Sequence, residues 1–190
     1  MTRLEYFKKH SLATVVATLG SGLFPEVVLV QGAIESNNGA SLLSSKYNNF
    51  FGIKAGSAWT GKTVNLQTGE VFSGKKVTVN AAFRVYGSYY ASVRNLVKFL
   101  KTYDRYKYVL AAKDPEAQFR ALGLSGYATA PDYANVMIST YRTYKTQIEK
   151  AVSIDKALVG MGIGGVIGAA VYFKSDLQKA ASDLKNSLPY

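Results

Sequence analysis

Residues 62–86 read Lys62-Thr63-Val64-Asn65-Leu66-Gln67-Thr68-Gly69-Glu70-Val71-Phe72-Ser73-Gly74-Lys75-Lys76-Val77-Thr78-Val79-Asn80-Ala81-Ala82-Phe83-Arg84-Val85-Tyr86. Apolar and polar residues alternate over Lys62–Leu66 and again over Lys76–Ala81, with Ser73-Gly74 between them as a turn. Period-two alternation on either side of a turn is the signature of a β-hairpin. Everywhere else the apolar period is helical. Upstream, Thr2 and Glu5 have the spacing of a capping box for a first helix, which a brief apolar run from Leu12 to Leu19 continues until Gly20 and Gly22 stop it. Pro25 suits the first position of a second helix, carried by Val27, Val28, Val30, Gln31 and Ile34, and Ser41 to Tyr47 reads as a short third one. Downstream, helical spacing returns over 88–101 (Val93, Leu96, Val97, Leu100), 106–112, 114–122 behind Asp114-Pro115, and 132–152. One hairpin inside a helical chain makes residues 1–152 an α+β domain, mainly α.

Composition limits the chemistry. The 190 residues are 48% apolar, enough for a real core, and contain no cysteine, which removes disulfides, thiolate catalysis and Cys-ligated zinc. A single histidine, His10, argues against a histidine metal site, and its place near the end of the first helix pattern reads as surface or capping. The formal charge of +11 suits an anionic partner such as nucleic acid, anionic lipid or an acidic wall polymer. The positives are scattered and form no compact nucleic-acid module, so nucleic acid is not expected as a partner. Tyrosine, with 14 copies, can stack on sugars as readily as on bases.

Residues 153–190 differ in kind. The run 157–173 is uncharged and bracketed by Lys156 and Lys174, with Gly160, Gly164 and Gly168 at small-xxx-small spacing. It is expected to be a C-terminal hydrophobic helix that enters a membrane or, alternatively, packs within an oligomer or larger assembly. Gly160-x-Gly162-x-x-Gly165 matches a dinucleotide fingerprint by letter only, lacking a βαβ context. The N-terminus does not have the pattern of a signal peptide.

The chemistry centres on Glu35. It ends an apolar helix pattern and precedes Ser36-Asn37-Asn38-Gly39. Burial among Val and Ile disfavours the charged carboxylate and keeps a proton available near neutral pH, as a general acid requires. Four blocks then occur in order: Pro25 to Ser36; Tyr47-Asn48-Asn49-Phe50-Phe51-Gly52-Ile53-Lys54; Val77 to Tyr86; and Gly126-Tyr127-Ala128-Thr129-Ala130-Pro131-Asp132-Tyr133-Ala134. In these blocks residues 2–150 resemble the bacterial and phage glucosaminidase domains of glycoside hydrolase family 73, which cut peptidoglycan.

The resemblance implies a lysozyme-like domain in which Glu35 is the general acid. Glu70 on the hairpin would be the second acid. It would activate water or stabilise charge, unless the substrate's own N-acetyl group is the nucleophile. The resemblance places Tyr127 near the acid, positioning substrate or stabilising the transition state. Tyr133 is a packing residue or a further contact to substrate. Asn48 and Asn49 shape a turn and offer amides to the sugar, Phe50 and Phe51 form core or groove wall, and Trp59 stacks on sugar or simply packs.

Two departures from the family pattern stand out: Asn37-Asn38-Gly39 replaces an aromatic residue flanked by glycines, and Ala130 replaces an Asp before Pro131. The expected function is hydrolysis of the β-1,4 bond after N-acetylglucosamine in a peptidoglycan strand, with no metal or cofactor. The alternative is an inactive wall-binding or structural component of a virion or injection apparatus. The expected location is the bacterial envelope, membrane-associated, or a phage or injection particle.

Overall fold

The computed structural model describes residues 1–72 and 75–161, with the side chains of residues 70–76 excepted. The element order is α1 (Arg3–Thr18), α2 (Pro25–Glu35), α3 (Leu42–Tyr47), β1 (Thr63–Phe72), β2 (Lys75–Arg84), α4 (Tyr89–Thr102), a 3-10 turn (Asp104–Tyr106), α5 (Lys107–Ala111), α6 (Pro115–Leu124) and α7 (Tyr133–Gly160).

The local signals act as their chemistry suggests. Thr2 Oγ1 accepts from the Glu5 amide at 3.2 Å while Glu5 Oε2 accepts from the Thr2 amide at 2.7 Å, a complete capping box. Pro25 opens α2, and Asp114 caps α6 through its 2.8 Å bond from the Ala117 amide. Strands β1 and β2 pair antiparallel from Thr63↔Arg84 to Phe72↔Lys75, longer than the alternating segments alone suggest. The hairpin root is extended by Lys54↔Phe83 and by the Arg84 amide on the Ile53 carbonyl at 3.1 Å.

Helix α2 is the central element, with Val27 to Val30 and Ala33 all 1% exposed or less. It packs against α1, α6 and α7. Gly32 permits the closest of these approaches, since a Cβ there would meet the Tyr6 hydroxyl at 2.5 Å and the Phe51 ring at 3.2 Å. Leu96 and Leu100 of α4, Phe119 and Leu122 of α6, and Met137 and Ile148 of α7 complete the core.

His10 corrects a sequence expectation. It is 6% exposed, held among the rings of Tyr6, Phe50 and Tyr89 with centroids 4.6, 5.3 and 4.0 Å away. Burial, with a smaller push from Lys9, drives its pKa down to about 3, so it is neutral in the fold. The helix face that carries His10 is covered by α4 and the 50–51 segment, which the helix's own sequence does not announce.

Helix α7 crosses position 152 without a break and reaches Gly160, with one non-helical residue at Tyr144 (φ −112°, ψ 15°). Residues 157–160 are therefore its last turn. Among the described residues no helix is long and apolar enough to cross a membrane. The rest of the 157–173 run, with the tail to 190, lies outside the described residues.

Candidate active site

Glu35 is the last residue of α2, where the backbone leaves the helix through Ser36. Ser36 is fully buried, donates to the Gly32 carbonyl and accepts from the Gly39 amide at 2.8 Å. Asn37, Asn38 and Gly39 follow with φ of 50°, 53° and 80°. Asparagine is the residue besides glycine that most readily takes the left-handed region. The Asn-Asn-Gly run thus supplies a tight reversal immediately behind the acid, and Arg3 Nε secures it by donating to Asn38 Oδ1 at 3.0 Å.

The Glu35 carboxyl lines a cavity of about 310 Å³ with Phe51, Ile53, Phe99, Tyr106 and Tyr127, and with Lys54 and Arg105 as its cations. Burial raises the Glu35 pKa above the ordinary carboxylate value, and a hydrogen bond from Tyr133 opposes part of that rise. The Tyr133 hydroxyl donates to Glu35 Oε1 at 2.6 Å and itself accepts from Gln31 Nε2 at 3.3 Å. Because Gln31 occupies the phenol oxygen as a donor, the phenol proton is directed at Oε1. That leaves Oε2 as the oxygen to carry a transferable proton. Burial and then the Glu35 charge push the Tyr133 pKa far up, so this phenol stays neutral at any pH of interest.

The expected site residues are partly brought together. Tyr127 does lie in the Glu35 cavity, but its hydroxyl donates to the Phe51 carbonyl at 3.1 Å. Its ring stacks on Tyr133 with centroids 6.2 Å apart and planes 13° from parallel. The phenol that touches the acid is Tyr133. Tyr127 is wall and support, its own pKa raised by burial and by the Glu35 charge.

Asn49 is 1% exposed, and its amide is consumed by the scaffold: Nδ2 donates to the Ile53 and Arg84 carbonyls, each at 2.9 Å, and Oδ1 accepts from the Ile53 amide at 3.1 Å. It fastens the 49–53 turn to β2 and has no amide to offer a sugar. Asn48 takes the left-handed cap of α3 at φ 52° and donates to the Tyr86 carbonyl at 3.0 Å, which is again a fastening role.

Trp59 is half-buried and does not line the Glu35 cavity. Its ring lies under the Arg84 guanidinium at 4.7 Å and edge-on to Tyr86 at 5.9 Å, and its Nε1 donates to the Lys62 carbonyl at 3.1 Å. Glu70 stands in β1 opposite Val77, and its side chain lies outside the described residues.

Gln31, Phe99, Arg105 and Tyr106 were not singled out by sequence reading. Gln31 carried one available signal, since it is a polar residue one helical turn before Glu35 within the apolar stretch that follows Glu26. Arg105 carried none. It reaches the cavity by stacking on Tyr106 at 4.7 Å, with a 2.6 Å hydrogen bond to the Tyr106 hydroxyl. Among the described residues no cluster of three or more His, Cys, Asp or Glu could hold a metal ion.

The chain is similar to known proteins. The sequence model of the Glucosaminidase family, described as mannosyl-glycoprotein endo-beta-N-acetylglucosaminidase, matches residues 14–146. The chain is 33% identical to peptidoglycan hydrolase FlgJ of Salmonella typhimurium over 150 residues, covering 77% of this chain and 48% of FlgJ. It is 35% identical to exo-glucosaminidase LytG of Bacillus subtilis over 127 residues, covering 64% of this chain and 44% of LytG. The solved glycoside hydrolase domain of Salmonella typhimurium FlgJ, truncated at its C-terminus, superposes with a TM-score of 0.63 at 32% identity, covering 76% of this chain and 99% of that one. The chain spans less than half the length of each of these two curated relatives.

Proposed function

The chain belongs to the glucosaminidase family, and from that premise we propose that it is a peptidoglycan hydrolase that cleaves the β-1,4 bond on the reducing side of N-acetylglucosamine. The observation that carries the reading is the Glu35 carboxyl, kept toward its protonated form by burial and opening on an aromatic-walled cavity. In the reaction Glu35 delivers its Oε2 proton to the glycosidic oxygen as the bond from that oxygen to the anomeric carbon breaks. Water supplies the hydroxyl to the anomeric carbon and gives up its other proton to a carboxylate of the site, so that Glu35 is protonated again at the end of the cycle. Tyr133 holds the carboxyl orientation throughout, and its proton on Oε1 stabilises the carboxylate that Glu35 becomes. Stacking of Tyr127 on Tyr133 fixes the phenol plane. We assign Glu70 the second carboxylate, brought to the reacting sugar from the hairpin, and place the activity at the bacterial cell wall.

Mass spectrometry of wall digests tests this directly. Borohydride-reduced fragments should end in reduced N-acetylglucosamine, and Glu35→Gln should release none. Fragments ending in reduced N-acetylmuramic acid would show that the other bond is cut. A wild type that binds walls without releasing fragments would make the domain a non-catalytic wall binder.

A further inference from the structure

Helix α4 carries no Asp or Glu, and its outer face presents Arg94, Lys98 and Lys101 at the i, i+4, i+7 spacing of one helical stripe. Among the described residues no carboxylate forms an ion pair with any of the three. Arg94 and Lys101 are braced by carbonyls, Ala17 at 3.3 Å and Gly20 at 3.4 Å, which holds both cations beside the end of α1. The stripe borders a groove of about 760 Å³ whose other walls include Leu19, Trp59, Tyr86 and Tyr90. Leu19 is 56% exposed, a large apolar side chain at the groove edge.

Shared wall residues relate this groove to the Glu35 cavity. Phe99 walls both that cavity and a smaller one of about 180 Å³. The smaller one shares Trp59, Asn95, Lys98 and Thr102 with the large groove. A polymer seated at Glu35 and running past Phe99 therefore meets an aromatic floor and then three cations spread over about 10 Å of helix axis.

Resting on the glucosaminidase reading, we infer that the α4 groove binds the acidic peptide stems of the wall strand, with Arg94, Lys98 and Lys101 receiving their carboxylates. A peptide-free wall strand keeps only one carboxylate per N-acetylmuramic acid, held close to the sugar by its lactyl ether, so this stripe gains little from it. A stem-bearing strand offers several carboxylates within reach of one groove, and Arg suits a planar carboxylate by its two parallel donors. The groove thus ranks strands by what hangs from them rather than by the bond to be cut.

The test uses walls freed of phosphodiester polymers and compares them with the same glycan after enzymatic removal of its peptides. Arg94→Gln/Lys98→Gln/Lys101→Gln should raise KM roughly tenfold on stem-bearing strands, with kcat unchanged and a clearly smaller rise in KM on peptide-free glycan. Lys98→Glu alone should move KM in the same direction, and the wild-type preference for stem-bearing strands should fade in high salt. In a Glu35→Gln background, sedimentation with insoluble walls reads the same interaction without turnover. Loss of wall retention by the triple substitution there supports the groove even if hydrolysis itself fails. Equal KM changes on both substrates, unchanged retention, or equally tight binding of single-stranded DNA would overturn it.

Discussion

Two titratable side chains of this domain, His10 and Glu35, are pushed toward their neutral forms by the same force with opposite consequences. His10 sits in a closed ring of Tyr6, Phe50 and Tyr89, its Nε2 has no hydrogen-bond partner, and its pKa is driven down to about 3. Glu35 is driven upward, but it has a phenol at 2.6 Å and a cavity in front of it. Burial suppresses charge in both places. Only at Glu35 is the retained proton both oriented and accessible. Desolvation makes a shifted group, whereas an opening and an oriented partner make a usable one.

The largest test of this contrast is Glu35→Gln, which keeps shape and removes the proton donor. Its expected outcome is a loss of ~10²–10⁴ in kcat on wall fragments, read by release of reducing ends. The same variant should unfold at a higher temperature than the wild type at pH 7. The raised folded pKa of Glu35 means its stabilising contribution is present below the ordinary carboxylate pKa and is lost as pH rises toward the folded value.

His10 leans the other way. Its folded pKa lies below the unfolded one, so stability is full above about pH 6.5 and declines as pH falls toward 3. Between pH 7 and pH 5 the loss should be about 2 kcal/mol, measured by urea unfolding. His10→Phe should flatten that slope. If the slope survives the substitution, the ring of aromatics is not what keeps the imidazole neutral.

Tyr133→Phe removes the donor that holds the Glu35 pKa down, so that pKa should rise further. The alkaline limb of kcat/KM, where the acid loses its proton, should move to higher pH while the rate at the optimum drops about tenfold. Tyr127→Phe should leave the limb in place, since its hydroxyl serves the Phe51 carbonyl. The smallest effect is expected from Gln31→Met. It frees the phenol proton from its enforced direction and blurs the limb without lowering stability, because Gln31 Oε1 is already without a partner.

The features legible in the sequence are those that local chemistry decides. The change of apolar period at residues 62–86 places the hairpin, Thr2, Pro25 and Asp114 place helix starts, and the apolar run before Glu35 places a carboxyl at a buried helix end. What could not be read depends on which surfaces meet. Nothing in α1 says that α4 will cover His10. Tyr127 and Tyr133 lie six positions apart in one block, and only the entry angle of α7 decides which phenol reaches Glu35. The amides of Asn48 and Asn49 suit sugars on chemistry alone, but the hairpin root needs them first. The composition change after residue 152 reads as a boundary, but Ala157, Leu158 and Val159 are compatible with continuing α7, and it continues.

That continuation has a practical consequence. Helix α7 touches the acid with Tyr133 in its first turn and holds the opposite end of α2 through Lys156, 3.3 Å from Glu26, with Ile148 and Val152 fully buried between. The family match stops at residue 146 and starts at residue 14. A version trimmed to those limits would discard the capping box, Tyr6, Phe7 and His10 at the front and the clasp on α2 at the back. The smallest piece that keeps Glu35 in its niche is therefore longer than the piece that the family model matches, and versions cut to that match should lose their fold before they lose any residue of the cavity.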